Sequence, residues 1–337
     1  MFVIGIDPHK RSHQAVVIDP AERVIGSVRV DANAAQRDRL LAFAAPFTPR
    51  TWAIEGASGL GALLAQQLVA AGEHVVDVPA KLAARVRTLD DTASDKQDSH
   101  DARSVAIVGL HRRVRTVGVE DYSVVLRLLA RRYHDLTARR TQSVCRLHAV
   151  LCHFVEGGLP RLLTAERAAA ELRRIRPADR VGAQRRAVAV ELLAEVRHAD
   201  RELALSYKRI VAAVADANTS VTEVYGVGPI GAAILIGYTG DIFRFPTAGH
   251  YARYNATAPI NASSGPNPHH RLNQKGNRQL NHAIHVAALT QVSHDTPGRA
   301  FYLRKQAEGK TPKDAMRALK RRISDAVYRQ LLNDAIR

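Results

Sequence analysis

Four carboxylates in this chain stand where their chemistry could be pooled. Asp7 closes the apolar run Phe2-Val3-Ile4-Gly5-Ile6, and Glu55 closes a second, Thr51-Trp52-Ala53-Ile54. Asp98 and Asp101 lie three residues apart at the predicted start of a helix, a spacing that puts both on one face. A carboxylate at the tip of a buried strand is costly to desolvate unless it meets a cation or a donor. Clustered oxygen ligands are what Mg²⁺ requires. In phosphoryl transfer, two such ions about 3.5–4 Å apart stabilise the attacking and leaving oxygens. One acid alone would read as a solvated surface group, but two strand-end acids with an i, i+3 pair are more specific. Asp90, Asp91 and Asp95 compete for the same role.

A second constellation lies far downstream: Ser263-Ser264-Gly265, then Arg271, Lys275 and Arg278. A serine hydroxyl is a weak nucleophile and needs activation and a cationic frame around the phosphate it attacks. By itself Ser-Gly is an ordinary turn. Gly226-Val227-Gly228-Pro229 reads either as backbone N–H groups offered to a phosphate or as a tight interhelical turn. His282 and His285 share a helical face without a Cys or further His to complete a zinc set, so they read as surface or phosphate contacts. His100-Asp101-Ala102-Arg103 spells the His-x-x-Arg of tyrosine recombinases, with Tyr225, Tyr251 or Tyr254 downstream. That reading leaves the strand-end acids unexplained.

The elements that must position these residues follow from periodicity. Over 1–117, strands are predicted at 2–7, 13–19, 23–30, 51–55 and 74–78. Helices are predicted at 34–45 and 60–71, from Pro79, and over 98–110, an α/β order. Residues 118–218 are nearly all helical. Leu129, Tyr133, Leu136, Val144, Leu147, Leu151 and Phe154 mark one long amphipathic helix, and Val188 to Val214 a second over 185–217. Such a pair would span about 50 Å and reads as a coiled-coil arm for dimerisation. Residues 219–337 form a mainly helical unit, with a polar loop over 255–281 and helices over 280–292 and 313–336.

Composition narrows the partners. With 49 Lys and Arg against 32 Asp and Glu, the net charge of +17 suits a polyanion, meaning nucleic acid or an anionic membrane. No run approaches the ~20 apolar residues of a membrane span, so nucleic acid is the expected partner. Cys145 and Cys152 are seven residues apart on a predicted helix, about 10 Å by helical rise, too far for a disulfide. This pattern points to a reducing compartment and a cytoplasmic location.

The chain resembles the DEDD insertion-sequence transposases, the group that includes the Piv-type DNA invertases. Gly5-Ile6-Asp7-Pro8-His9-Lys10, Ile54-Glu55-Gly56-Ala57-Ser58-Gly59 and Lys96-Gln97-Asp98-Ser99-His100-Asp101-Ala102-Arg103 resemble the family's RuvC-like domain in order. Gln97 stands where the family commonly has Thr. Downstream, Ser-Gly followed by Lys275-Gly276-Asn277-Arg278-Gln279-Leu280 is similar to its C-terminal domain, while Pro266-Asn267 and Asn281 depart from it.

The resemblance implies an RNase H-like N-terminal domain over 1–117, a helical arm over 118–218 and a C-terminal transposase domain over 219–337. It implies that Asp7, Glu55, Asp98 and Asp101 ligate two Mg²⁺ ions, with Mn²⁺ as a substitute. It also implies that Ser264, or Ser263 one residue away, forms a transient phosphoserine link to DNA. A homo-oligomer on DNA and a structured guide RNA are further implications. Two other readings stay open: a junction nuclease using water on the same acids, and a non-catalytic nucleic-acid-binding protein.

Overall fold

The computed structural model describes residues 1–89, 98–261, 270–271, 273 and 276–337, in two compact units, Met1–Glu120 and Asp121–Arg337. In the first unit the strands are β1 (Phe2–Pro8), β2 (Ser12–Ile18), β3 (Val24–Asp31), β4 (Arg50–Glu55), β5 (Val75–Val78) and β6 (Arg115–Thr116). The helices are α1 (Gln36–Ala44), α2 (Ala62–Ala70), α3 (Ala80–Leu89) and α4 (Asp98–His111). The sheet order is β3-β2-β1-β4-β5-β6, with β1, β2 and β3 antiparallel, β1, β4 and β5 parallel, and β6 an antiparallel edge. This mixed sheet is the RNase H-like, RuvC-like arrangement that the sequence implied, and α/β plus α describes the whole chain. The two-residue β6 was not foreseen, being too short to show a period.

Alternation along each strand sorts the core into two layers. Ile4, Ile6, Ala15, Val17, Trp52 and Ile54 face α1 and α2, meeting Leu40, Leu64 and Leu68. Val3, Val16, Ile18, Ala53, Val76 and Val78 face α3 and α4, meeting Ala83, Ala102, Val105 and Ala106. Small residues dominate the inner face of α4, and the helix sits close to the sheet. A Cβ on Gly5 would overlap the Ala102 carbonyl and the Ala106 amide. Glycine at position 5 is therefore what lets the backbone of α4 lie directly on β1.

The second unit begins with α5 (Tyr122–Leu151), α6 (Ala165–Arg174) and α7 (Arg180–Asp216). At 1.5 Å per residue, α5 and α7 are about 45 and 55 Å long. They pack antiparallel: Leu126 and Ala130 of α5 share a core with Ile210 and Val214 of α7. At the other end Leu147 and Leu151 share a second core with Leu192 and Val196, closed by Ala168 and Leu172 of α6. This is the expected helical arm, with its own satellite core. α7 starts five residues earlier than its periodicity suggested, because the Asp179 carboxylate caps it by accepting from Gly182 N at 2.6 Å.

The remaining elements are α8 (Pro229–Thr239), α9 (Ala248–Tyr254), β7 (Ile260–Asn261), β8 (His270–Arg271), α10 (Arg278–Ser293), α11 (Pro297–Ala307) and α12 (Pro312–Ile336). Leu235, Ile284, Leu319, Ile323 and Val327 build the core of this part. Inside it, Asn255 Nδ2 donates to Ser324 Oγ at 2.7 Å and Tyr328 OH to Phe245 O at 2.9 Å, so these buried polar groups are paired. Strands β7 and β8 pair antiparallel within the stretch expected to be loop.

Candidate active site

The register of the sheet brings the first two acids together. Ile6 pairs with Ile54 across the parallel β1–β4 ladder, so Asp7 and Glu55 follow side by side at the strand ends. Both have the parity of Val3 and Ala53, whose side chains face α4. Asp98 and Asp101 occupy the first turn of that helix, where carboxylates complement the helix dipole. The close approach at Gly5 sets this turn over the end of β1. Asp7 and Asp101 are 13% and 16% exposed and Asp98 39%, so the cluster is sheltered on one side and open on the other.

Two arginines and a histidine that the sequence did not assign to the site accompany the acids. His9 Nε2 lies 3.3 Å from Asp7 Oδ2 and 3.7 Å from Asp98 Oδ1. Arg29 Nη1 lies 3.5 Å from Asp98 Oδ2, and Arg87 Nη1 lies 2.8 Å from Asp101 Oδ1. His9 belongs to the opening motif, which gave a usable signal. Arg29 and Arg87 come from β3 and the last turn of α3, with no spacing that ties them to the acids.

Burial pushes the Asp7 carboxyl above its usual range; His9 and Arg87 oppose this, while Asp101 and Asp98 add to it. Glu55 is likewise raised, first by burial and then by Asp7 and Asp101, against Arg87 and His9. Glu55 Oε2 is buried without a hydrogen-bond partner among the described residues. These are four carboxylates whose mutual repulsion is relieved by protonation or by a cation, and the donor set suits Mg²⁺. Among the described residues, no three His, Cys, Asp or Glu side chains converge closely enough to hold a metal ion as they stand. Arg87 pairs with Asp101 and Arg29 with Asp98, and His9 lies beside Asp7 and Asp98. By the chemistry of their oxygens these residues suit a divalent ion.

In the second unit, Ser263, Ser264, Gly265 and Lys275 lie outside the described residues, as do Asp90, Asp91 and Asp95. Arg271 is on β8 and Arg278 opens α10, exposed. Asn277 caps α10, its Oδ1 accepting from Gln279 N at 3.0 Å and Leu280 N at 3.1 Å. Gly226, at φ +86°, packs against α10, where a Cβ would lie 2.7 Å from Ala287 O. That contact favours the interhelical-turn reading of this motif. The tyrosine-recombinase alternative weakens further. Tyr251 is fully buried, its hydroxyl 3.1 Å from Thr239 Oγ1, and burial pushes that hydroxyl up to about 12. Cys145 and Cys152 are free thiols. Among the described residues, no helix is long and apolar enough to cross a membrane.

Comparison with known proteins matches the chain to transposases. A model of the DEDD transposases of IS110 type matches residues 4–155, and one described as the transposase IS116/IS110/IS902 family matches residues 218–303. The 44.8 kDa protein of insertion element IS116 from Streptomyces clavuligerus is 27% identical over 97% of this chain and 94% of its own. The 42 kDa protein of insertion element IS900 from Mycobacterium paratuberculosis is 28% identical over 98% of this chain and 96% of its own. Among solved structures, Thermus thermophilus RuvC in complex with a Holliday junction substrate aligns with 35% of this chain and 99% of its own. That alignment has 17% identity and a TM-score of 0.28.

Proposed function

The chain belongs to the IS116/IS110/IS902 family of DEDD transposases, and from that premise we propose that it cuts and rejoins DNA through a covalent serine intermediate. Transposition acts on DNA, and a net charge of +17 suits that polyanion. The observation that supports the catalytic reading is the gathering of Asp7, Glu55, Asp98 and Asp101 at one end of β1, β4 and α4, two of them raised by burial. We assign residues 1–117 to catalysis by these acids, 118–218 to the arm and 219–337 to the nucleophile.

In this reading the four acids would hold divalent Mg²⁺, which when bound would supply charge stabilisation to the transferring phosphate. Asp7 and Glu55 are fixed by the sheet, while Asp98 and Asp101 approach from α4. Arg87 offsets part of the cluster's negative charge. The Ser264 hydroxyl gives up its proton and its Oγ attacks phosphorus. The P–O3′ bond breaks, the 3′ oxygen leaves as a hydroxyl, and a phosphoserine link remains. Attack by a different 3′ hydroxyl reverses the step and joins new ends. Arg271, Lys275 and Arg278 grip flanking phosphates.

The described residues include no zinc finger. The family resemblance supplies a structured guide RNA, whose base pairing would read sequence while the protein grips backbones. The arm, as a helical pair with its own core, suits assembly into a homo-oligomer.

A trapping assay tests the reading. Protein, Mg²⁺, element-end DNA and co-purifying RNA are incubated, denatured and examined for a protein–DNA adduct. The adduct should form in wild type and vanish in Ser264→Ala and Asp98→Ala. Loss in Ser263→Ala alone moves the nucleophile by one residue. Cleavage without an adduct, surviving in both serine variants, replaces this mechanism with a water-using nuclease.

A further inference from the structure

A cavity of about 940 Å³ lies between α10 and α12, beside the base of the β7–β8 hairpin. Its rim includes Ala258 and Pro259, just before β7, and Asn273 and Gly276, just after β8. Ser264 is three residues beyond the end of β7 in sequence. Among the described residues, five cations line the cavity, Arg278, Lys310, Arg317, Lys320 and Arg321, against the single carboxylate of Asp314.

Two of the cations are already committed. Arg317 Nη1 lies 2.7 Å from Asp314 Oδ1, and Arg321 Nε donates to both oxygens of Asp325 at 3.0 and 3.2 Å. Asp314 also accepts from Thr311, so it has little left to offer an incoming cation. Lys320, Arg278 and Lys310 make no ion pair among the described residues.

Lys320 is the informative member. Its ammonium is half-buried, and its partner among the described residues is the neutral Asn281 Oδ1 at 2.7 Å. An ammonium has three donors, and Asn281 takes one of them in a place where burial penalises the charge. That burial, with Arg317 nearby, pushes its pKa below the ordinary lysine value. An anion at Nζ would offset the penalty. No Phe, Tyr or Trp lines the cavity among the described residues; its aromatic rings are the imidazoles of His282 and His285, and cationic side chains dominate its lining. The chemistry that fits is phosphate.

We propose that this cavity seats a backbone phosphodiester of the nucleic-acid strand, held by Lys320 and Arg278 beside β7 and β8, the strands between which Ser264 lies in sequence. The choice of a polymer over a free anion rests on the transposase reading above, while the pocket itself stands on its own geometry. It adds Lys320, on α12 and remote in sequence, to the phosphate-gripping residues near the serine.

The test measures binding by the full chain to a short single-stranded DNA, the same DNA as duplex, and the matching RNA, between about 50 and 200 mM salt. Lys320→Gln and Arg278→Gln should each weaken binding about tenfold. Each should also flatten the log–log salt slope by about 0.7 on a single strand or 0.9 on duplex DNA. Lys320→Arg should restore both. The polymer on which the loss appears identifies the strand that is seated. Arg329→Gln removes the same charge from an exposed site on α12 outside the cavity and should change binding less than twofold.

Unchanged affinity and slope in Lys320→Gln and Arg278→Gln would overturn the proposal. So would an equal loss in Arg329→Gln, which would mean that charge alone matters. Arg278 is exposed, so its variant decides the matter even if Lys320→Gln melts early. The adduct assay is read separately from this binding curve. Failure of the serine mechanism with Lys320-dependent binding intact would sink only the mechanism, and the converse only the pocket.

Discussion

At the scale of residues, the acid cluster trades stability for chemistry. Asp7 and Glu55 are held near other carboxylates and partly out of water, which costs free energy whenever both are ionised. Asp7→Asn should therefore abolish cleavage by at least about 10²-fold while raising the melting temperature in chelator at neutral pH. A lower melting temperature in chelator would contradict the repulsion argument. Arg87 has the opposite role, since its guanidinium compensates Asp101. Arg87→Met should melt earlier than wild type in chelator and recover most of that loss in Mg²⁺. If Mg²⁺ gives wild type and Arg87→Met the same increment, Arg87 is not a stand-in for a bound cation.

At the scale of elements, the site depends on how closely α4 lies on β1. Gly5→Ala would force the helix backbone away, because the new methyl overlaps the Ala102 carbonyl. Destabilisation of about 3 kcal/mol or more is expected, together with loss of cleavage as Asp98 and Asp101 leave their places. A denaturant titration showing wild-type stability would refute the close contact.

The start of β4 is anchored differently. Burial raises the Glu73 carboxyl, but Arg50 Nε donates to its Oε2 at 2.9 Å and Trp52 Nε1 to the same oxygen at 2.7 Å. Together with the Arg50 charge they hold it below its ordinary value of 4.5. A carboxyl whose folded pKa is depressed stabilises above the unfolded pKa, and the contribution disappears as pH falls through the folded value. Wild type should thus be more stable than Glu73→Gln at pH 6, with the gap closing below pH 4.5. A gap that persists at low pH would assign the effect to packing instead.

At the scale of the whole molecule, excess positive charge predicts a steep salt dependence. The log of the DNA association constant should fall against log salt with a slope of about −0.9 per phosphate neutralised. A flat plot would contradict a basic binding surface. The charge is not spread evenly in purpose. Near the acids, Arg29 and Arg87 are paired with carboxylates, whereas the α10–α12 cavity keeps uncommitted cations. Net charge, read alone, cannot separate these two uses.

Much of this was legible in the chain itself. Apolar alternation determined β1 to β5, and amphipathic spacing determined α5 and α7, because both are properties of neighbours along the backbone. Position at the ends of those elements made Asp7, Glu55, Asp98 and Asp101 candidates, with Asp90, Asp91 and Asp95 competing, and it was the family resemblance that singled out the four. What only the tertiary structure decided was adjacency. Asp7 and Glu55 share a face with α4 through the β1–β4 register, and a slip of one residue would have turned either away. Arg29, Arg87 and Lys320 reach their sites from elements distant in sequence, so no local pattern could name them. The two-residue strands β6, β7 and β8 form through their pairing partners, since a stretch that short has no period of its own.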